Sequence, residues 1–178
     1  MNFSQLHHLH TLNLAYNYFN HSSIPHNIGQ LTNLRHLNLS DAYFSGKIPT
    51  EISYLSNLVS LDLSYGDELQ LDERTFETML HNFTNLELLS LGDILSEIPV
   101  SIHPNSSLFQ LNHLHTLNLY NNYFYPSSSI PHNIGRLRNL RHLKLSGFDG
   151  KIPTDIIIFL ESLSNIVHLY KKIGKRSI

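Results

Sequence analysis

Apolar residues recur along the chain on one template, L-x-x-L-x-x-L-x-L. It is filled by Leu6, Leu9, Leu12 and Leu14, then by Leu31, Leu34, Leu37 and Leu39, then by Leu55, Leu58, Leu61 and Leu63. It continues through Phe83, Leu86, Leu89 and Leu91, through Leu111, Leu114, Leu117 and Leu119, and through Leu137, Leu140, Leu143 and Leu145. Successive frames start 25, 24, 28, 28 and 26 residues apart, and a seventh on Leu163, Ile166 and Leu169 breaks where Lys171 takes the last apolar place. The closing L-x-L has a period of two, which predicts a short strand with both leucines on one face. Strands repeated at this interval stack in parallel, roughly 4.8 Å apart, with the residues between the leucines turned outward.

This pattern predicts a leucine-rich repeat, an α/β solenoid that curves with its parallel sheet on the concave face. Each repeat buries its leucines only against its neighbours, so stability grows with repeat number. Six repeats and a degenerate seventh fill residues 1–170, and residues 171–178 form a basic tail.

Between strands the repeats carry other signals. Asn17 and Asn122 follow their strands at a place where a side-chain amide can satisfy turn backbone. Ala42, Gly66, Ile94 and Phe148 hold that place elsewhere, so those turns are expected to be looser or differently bonded. Ile-Pro recurs at Ile24, Ile48, Ile98, Ile130 and Ile152, which predicts an extended approach followed by a tight turn. Residues 67–82 insert a segment in which Phe76, Met79, Leu80 and Phe83 fall at i, i+3, i+4, i+7. That spacing predicts an amphipathic helix, with Asp72 or Thr75 as N-cap. Residues 103–107 (His-Pro-Asn-Ser-Ser) read as a loop.

A longer period lies over the short one. Residues 5–19 match 110–124 at 12 of 15 places, 23–40 match 129–146 at 15 of 18, and 46–52 match 150–156 at 6 of 7. The chain is therefore a four-repeat block followed by the start of a second copy. Every mismatch, such as Gln30 against Arg136 or Asn38 against Lys144, falls off the Leu/Ile/Pro/Gly frame.

Composition narrows the chemistry. The chain has no cysteine, which excludes disulfides, thiolate zinc sites and cysteine nucleophiles. A net charge of −2 gives no excess to draw it to nucleic acid. The longest apolar run, Ile156 to Leu160, is far short of the ~20 residues that span a bilayer. The first eight residues lack a basic and an apolar region and do not read as a signal peptide. Thirteen histidines suggest a metal site, but most lie at exposed places between frame leucines. His36 and His142, in equivalent places four repeats apart, would stand roughly 19 Å from each other, too far to share one zinc ion. No nucleophile elbow, phosphate-binding loop or kinase signature occurs, so no enzyme activity, metal or cofactor is expected. Residues 1–97 hold 11 acids and 3 bases, and residues 98–178 hold 3 acids and 9 bases.

Several longer runs carry a family resemblance. Ser23-Ile24-Pro25 with Ile28-Gly29, and Phe44-Ser45-Gly46-Lys47-Ile48-Pro49, resemble the plant-specific class of leucine-rich repeats. The stretch Leu58-Val59-Ser60-Leu61-Asp62-Leu63-Ser64, the run Asn82-Phe83-Thr84-Asn85-Leu86 and the run from Asn105 to Leu111 are similar to the first repeats of plant receptor-like proteins. The resemblance covers residue 5 to about residue 169. It implies a cell-surface ectodomain in defence or developmental signalling, at the plasma membrane on the extracellular side, with a protein or peptide ligand and a co-receptor kinase as partners. The family's cysteine-paired caps, leader and membrane helix have no counterpart in these residues, so the chain reads as a partial, internally duplicated ectodomain.

Ligand binding is expected at the concave strand positions His36, Asn38, Asp41, Ser60, Asp62, Tyr65, Ser90, Asp93, Asn118, Tyr120, His142 and Lys144. Tyrosine there supplies rigid contact area, and the polar set supplies hydrogen-bond specificity. Asn-x-Ser/Thr sequons at Asn2, Asn20, Asn38, Asn82 and Asn105 are glycosylation candidates. Two other readings of the same sequence are a soluble extracellular inhibitor similar to the polygalacturonase-inhibiting proteins, and a truncated product without function.

Overall fold

Each L-x-L pair forms a strand, and its leucines stack on those of the next repeat. The computed structural model describes residues 5–66, 68–94, 105–122, 132–146 and 167–170. Strands β1 (Thr11–Asn13), β2 (His36–Asn38), β4 (Ser60–Asp62), β6 (Leu88–Ser90), β7 (Thr116–Leu119), β8 (His142–Ser146) and β9 (Val167–Tyr170) form one sheet in that order. All six pairings are parallel, and the register aligns Leu12, Leu37, Leu61, Leu89, Leu117 and Leu143 in a single file. From Leu37 onward these leucines are at most 1 % exposed. Leu12, in the edge strand β1, is only half-buried because no described strand pairs with its other side.

The seventh frame sits two residues from where the leucine template places it. The backbone register pairs Leu143 with Val167 and Leu145 with Leu169, so Val167 takes the place expected of Leu169. An apolar-polar-apolar triplet, Val167-His168-Leu169, suits that register, whereas the expected frame ends on Lys171.

The Ile-Pro signals end as expected at Pro25 and Pro49. Each proline has extended backbone, with ψ near 137° and 139°, and leads into one turn of 3-10 helix at His26–Gln30 and Thr50–Tyr54. Ahead of the second of these, β3 (Ser45–Lys47) pairs in parallel with β5 (Glu68–Gln70), forming a small second sheet. Ser107 also departs from the loop reading: it opens a 3-10 turn, Ser107–Gln110, whose Leu108 N–H donates to the Ser106 hydroxyl.

The insertion contains the expected helix, α1 (Glu73–Asn82), burying Phe76, Met79 and Leu80, with Phe83 just past its end. Asp72 is the N-cap and accepts from the Thr75 N–H at 2.8 Å. That bond holds the Asp72 carboxyl below its ordinary value. Asp72→Ala should cost ~1 kcal/mol. A depressed carboxyl contributes stability that is complete above the unfolded pKa, about 3.9, and is lost as pH falls through the lower folded value. Denaturant midpoints should therefore differ between the two proteins at neutral pH, and the difference should shrink as pH falls through the lowered folded value.

Turn bonding explains how repeats that lack the Asn17-type residue close. Asn38 Oδ1 accepts from the Ser40 N–H at 2.9 Å, and Asp62 Oδ1 accepts from the Ser64 N–H at 3.0 Å. Asn13 and Asn118 do the same for Ala15 and Tyr120. In these four repeats the residue at the second outward position of the strand thus ties the turn that follows it, whichever residue stands further on. The turn at Ile94 is closed from the next repeat: buried Asn122 accepts from the Ile94 N–H at 3.3 Å and donates to the Leu91 carbonyl at 2.7 Å. The expected loose turn at Phe148 lies outside the described residues.

Candidate functional site

Three rows of residues, one per repeat, cross the outward face of the large sheet. The first runs Thr11, His36, Ser60, Leu88, Thr116 and His142, and the second runs Asn13, Asn38, Asp62, Ser90, Asn118 and Lys144. The third lies just past the strands. It is fixed by a ladder in which Tyr16, Asp41, Tyr65 and Asp93 donate their N–H groups to Ser40, Ser64, Gly92 and Tyr120 carbonyls at 2.8–3.1 Å. With Asn121, all members of this third row have positive φ, between 48° and 58°.

The candidates read from the sequence separate into distinct roles. His36, Tyr65, His142 and Lys144 are exposed. Asn38, Asp62 and Asn118 are half-buried and engaged in the turn bonds described above. Ser90 is 7 % exposed, because the Asn118 amide lies over it and donates to its hydroxyl at 3.0 Å. His36 Nδ1 and Ser60 Oγ lie 2.9 Å apart, so the structure joins these two in the first row. Asp41, Tyr65 and Asp93 share the third row. Tyr120 falls one place earlier, level with Ser40 and Ser64, and the counterpart of Asp93 is Asn121, whose amide donates to the Asp93 carboxylate at 2.6 Å.

Sequence reasoning missed the aromatic side of this surface. Tyr16 heads the third row and is 79 % exposed, against 57 % for Tyr65. Beside it, Tyr18 and Tyr43 rings approach to 5.0 Å and each meets His21 edge-on at 6.2 Å. His21 in turn bonds Glu68 at 2.8 Å. The signal was present in the repeat frame: Tyr16 stands two residues past Leu14, as Asp41 and Tyr65 stand past Leu39 and Leu63.

The opposite rim is polar. His10, Arg35 and Val59, each just ahead of its strand, line an open depression of about 390 Å³ with Asn33, Asn57 and Asn85. Asn33 and Asn57 donate to the His7 and Thr32 carbonyls of the preceding repeat at 2.7 and 2.8 Å, which fastens this rim. Away from the sheet, the His26 ring hydrogen-bonded to Glu51 at 2.9 Å holds that carboxyl below its ordinary value. Among the described residues, no group of three or more His, Cys, Asp or Glu side chains could hold a metal ion. Nor, among them, is any helix long and apolar enough to cross a membrane.

Among the sequons, Asn20 and Asn105 are exposed, while the Asn82 amide donates to the Ser53 carbonyl at 3.0 Å. Asn38 accepts from both the N–H and the hydroxyl of Ser40. Asn2 lies outside the described residues.

Comparison with known proteins places this geometry. The Leucine Rich Repeat family matches residues 8–31, 33–55 and 113–137. The chain is 36 % identical to Receptor-like protein 41 of Arabidopsis thaliana over 93 % of its own length and 18 % of that protein's. Among solved structures, it is similar to the Arabidopsis receptor kinase HAESA ectodomain in complex with an IDA peptide hormone ligand. The TM-score is 0.68 and the identity 31 %, over 93 % of this chain and 27 % of that one. The plant peptide hormone receptor RGFR1 in complex with RGF2 gives a TM-score of 0.66 and 30 % identity, over 86 % of this chain and 27 % of that one. The chain thus spans about a fifth of the length of the receptor-like relative.

Proposed function

Because the chain belongs to the leucine-rich-repeat family of plant receptor-like proteins, we propose that it recognises a peptide on the outward face of its parallel sheet, as part of a cell-surface receptor ectodomain. The observation that carries this reading is the set of exposed side chains, including His36, Tyr65, His142 and Lys144, that parallel strands hold in rows at one residue per repeat. Rows of this kind offer an extended ligand regularly spaced contacts, with aromatic anchors and polar groups in alternation. Two of the similar ectodomain structures are complexes with peptide hormones, which supports the same ligand class here. The relatives are receptor-like proteins rather than enzymes.

The partners that follow are a peptide on the sheet face and a co-receptor kinase bound elsewhere on the ectodomain. The setting is the extracellular side of the plasma membrane, in defence or developmental signalling. Made through a secretory pathway, the chain should carry glycans at Asn20 and Asn105 and not at Asn82, whose amide is engaged. Mass spectrometry of glycopeptides reads this directly.

The peptide reading is tested by panning a random peptide display library against the full chain. Selected peptides should lose binding to a His36→Ala, Tyr65→Ala, His142→Ala, Lys144→Ala variant of unchanged circular dichroism. Failure to select any peptide, or binding indifferent to these substitutions, would contradict it.

A further inference from the structure

The third row alternates aromatic and acidic residues: Tyr16, Asp41, Tyr65, Asp93. All four stand at positive φ, which aspartate tolerates but where a bulky side chain such as tyrosine is crowded. The repeat frame itself shows what the fold would accept there, since Asn121 and Gly147 take the same place in the second copy. Tyrosine is therefore not required by the backbone. Nor is the crowding offset by burial, since Tyr16 is 79 % and Tyr65 57 % exposed. Bulky rings held in a strained conformation and turned to solvent point to use by a ligand.

The chemistry of the row selects the ligand. Asp41 is half-buried, and its carboxylate has no hydrogen bond or ion pair among the described residues. It lies between Tyr16 and Tyr65, one rung from each. Asp93 receives one bond from Asn121 and retains further acceptor capacity. An aromatic face beside a carboxylate attracts a guanidinium or ammonium by cation–π and ionic attraction together. The surroundings agree in sign, because residues 1–97 carry 11 acids against 3 bases. The second copy does not repeat the arrangement and places Lys144 on the neighbouring row.

Spacing then sets the register. Asp41 and Asp93 follow strands β2 and β6, two rungs apart in the sheet, hence about 9.6 Å. Three residues of polyproline II chain make one turn, span about 9.3 Å and return a side chain to the same face. We infer that the Tyr16–Asp41–Tyr65–Asp93 row is a docking rail for a basic peptide in polyproline II conformation, with arginine or lysine side chains three residues apart seated on Asp41 and Asp93. The inference rests on the peptide-recognition reading and names its ligand class and its place on the sheet.

Fluorescence anisotropy on the full chain tests it, with two labelled isomeric probes, Gly-Ser-Arg-Ser-Ser-Arg-Ser-Gly and Gly-Ser-Ser-Arg-Arg-Ser-Ser-Gly. The first should bind about tenfold more tightly than the second, and its affinity should fall as salt rises. Tyr16→Asn with Tyr65→Asn keeps residues that tolerate positive φ, so the variant should fold. It should weaken the first probe about tenfold, as should Asp41→Asn. Equal affinity for the two isomers, or a tyrosine variant that binds like the parent, overturns the inference. If the display library yields peptides that are not basic and are indifferent to Tyr16 and Tyr65, the inference fails and peptide recognition stands. If it yields none, both fail.

Discussion

Leu117→Ala should destabilise the protein by about 2–5 kcal/mol, and Leu12→Ala by clearly less, although the two leucines hold the same place in two near-identical copies. Leu117 is fully buried, in β7 between β6 and β8, so truncation leaves a cavity walled on both sides by neighbouring repeats. Leu12 lies in the edge strand and is half-buried, so less apolar area is returned to water and the site can relax. Chemical denaturation with far-UV circular dichroism reads both. Equal losses would mean that burial in this solenoid does not depend on the neighbouring repeat.

The copies give a second contrast at the asparagine that follows the strand. Asn122 is 2 % exposed and bridges to the preceding repeat, holding the Ile94 N–H and the Leu91 carbonyl. Asn122→Ala leaves both backbone groups without that partner, at ~1–3 kcal/mol for each one that stays buried and unpaired. Its counterpart Asn17 is exposed and donates only to the Leu14 and Ala15 carbonyls of its own turn, at 3.0 and 3.1 Å. Water can replace those bonds, so Asn17→Ala should cost less than about 1 kcal/mol. The same denaturation measurement separates the two.

These contrasts also show what the sequence made legible. The leucine frame was readable because each L-x-L must meet the L-x-L of the next repeat, and a one-residue slip would turn every leucine outward. Helix α1 was readable for a similar reason: its apolar spacing and Asp72 cap are both local signals. The second sheet was not. Ser45-Gly46-Lys47 has no strand-like alternation, and it becomes a strand through bonds to distant chain, Ser45 N–H to the Ser22 carbonyl and Ile48 N–H to the Gln70 carbonyl. The candidate surface was half legible. Outward strand positions follow from the frame, but nothing in the composition says that Asn38 and Asp62 are drawn into turns or that Ser90 is covered by Asn118. Tyr16 was missed although the frame sets it level with Tyr65, because no residue of the first repeat was read as part of the surface.

The central claim is that parallel stacking brings residues far apart in the chain into one row. Tyr16 and Asn121 are 105 residues apart in sequence, yet they follow strands β1 and β7, four rungs apart, or roughly 19 Å. The chain has no cysteine, so Tyr16→Cys with Asn121→Cys supplies a unique pair of spin-label sites. Double electron–electron resonance should give one narrow distance distribution at about 2–3 nm, the rung spacing plus the label arms. A broad distribution, or a narrow one well beyond that range, would contradict the account.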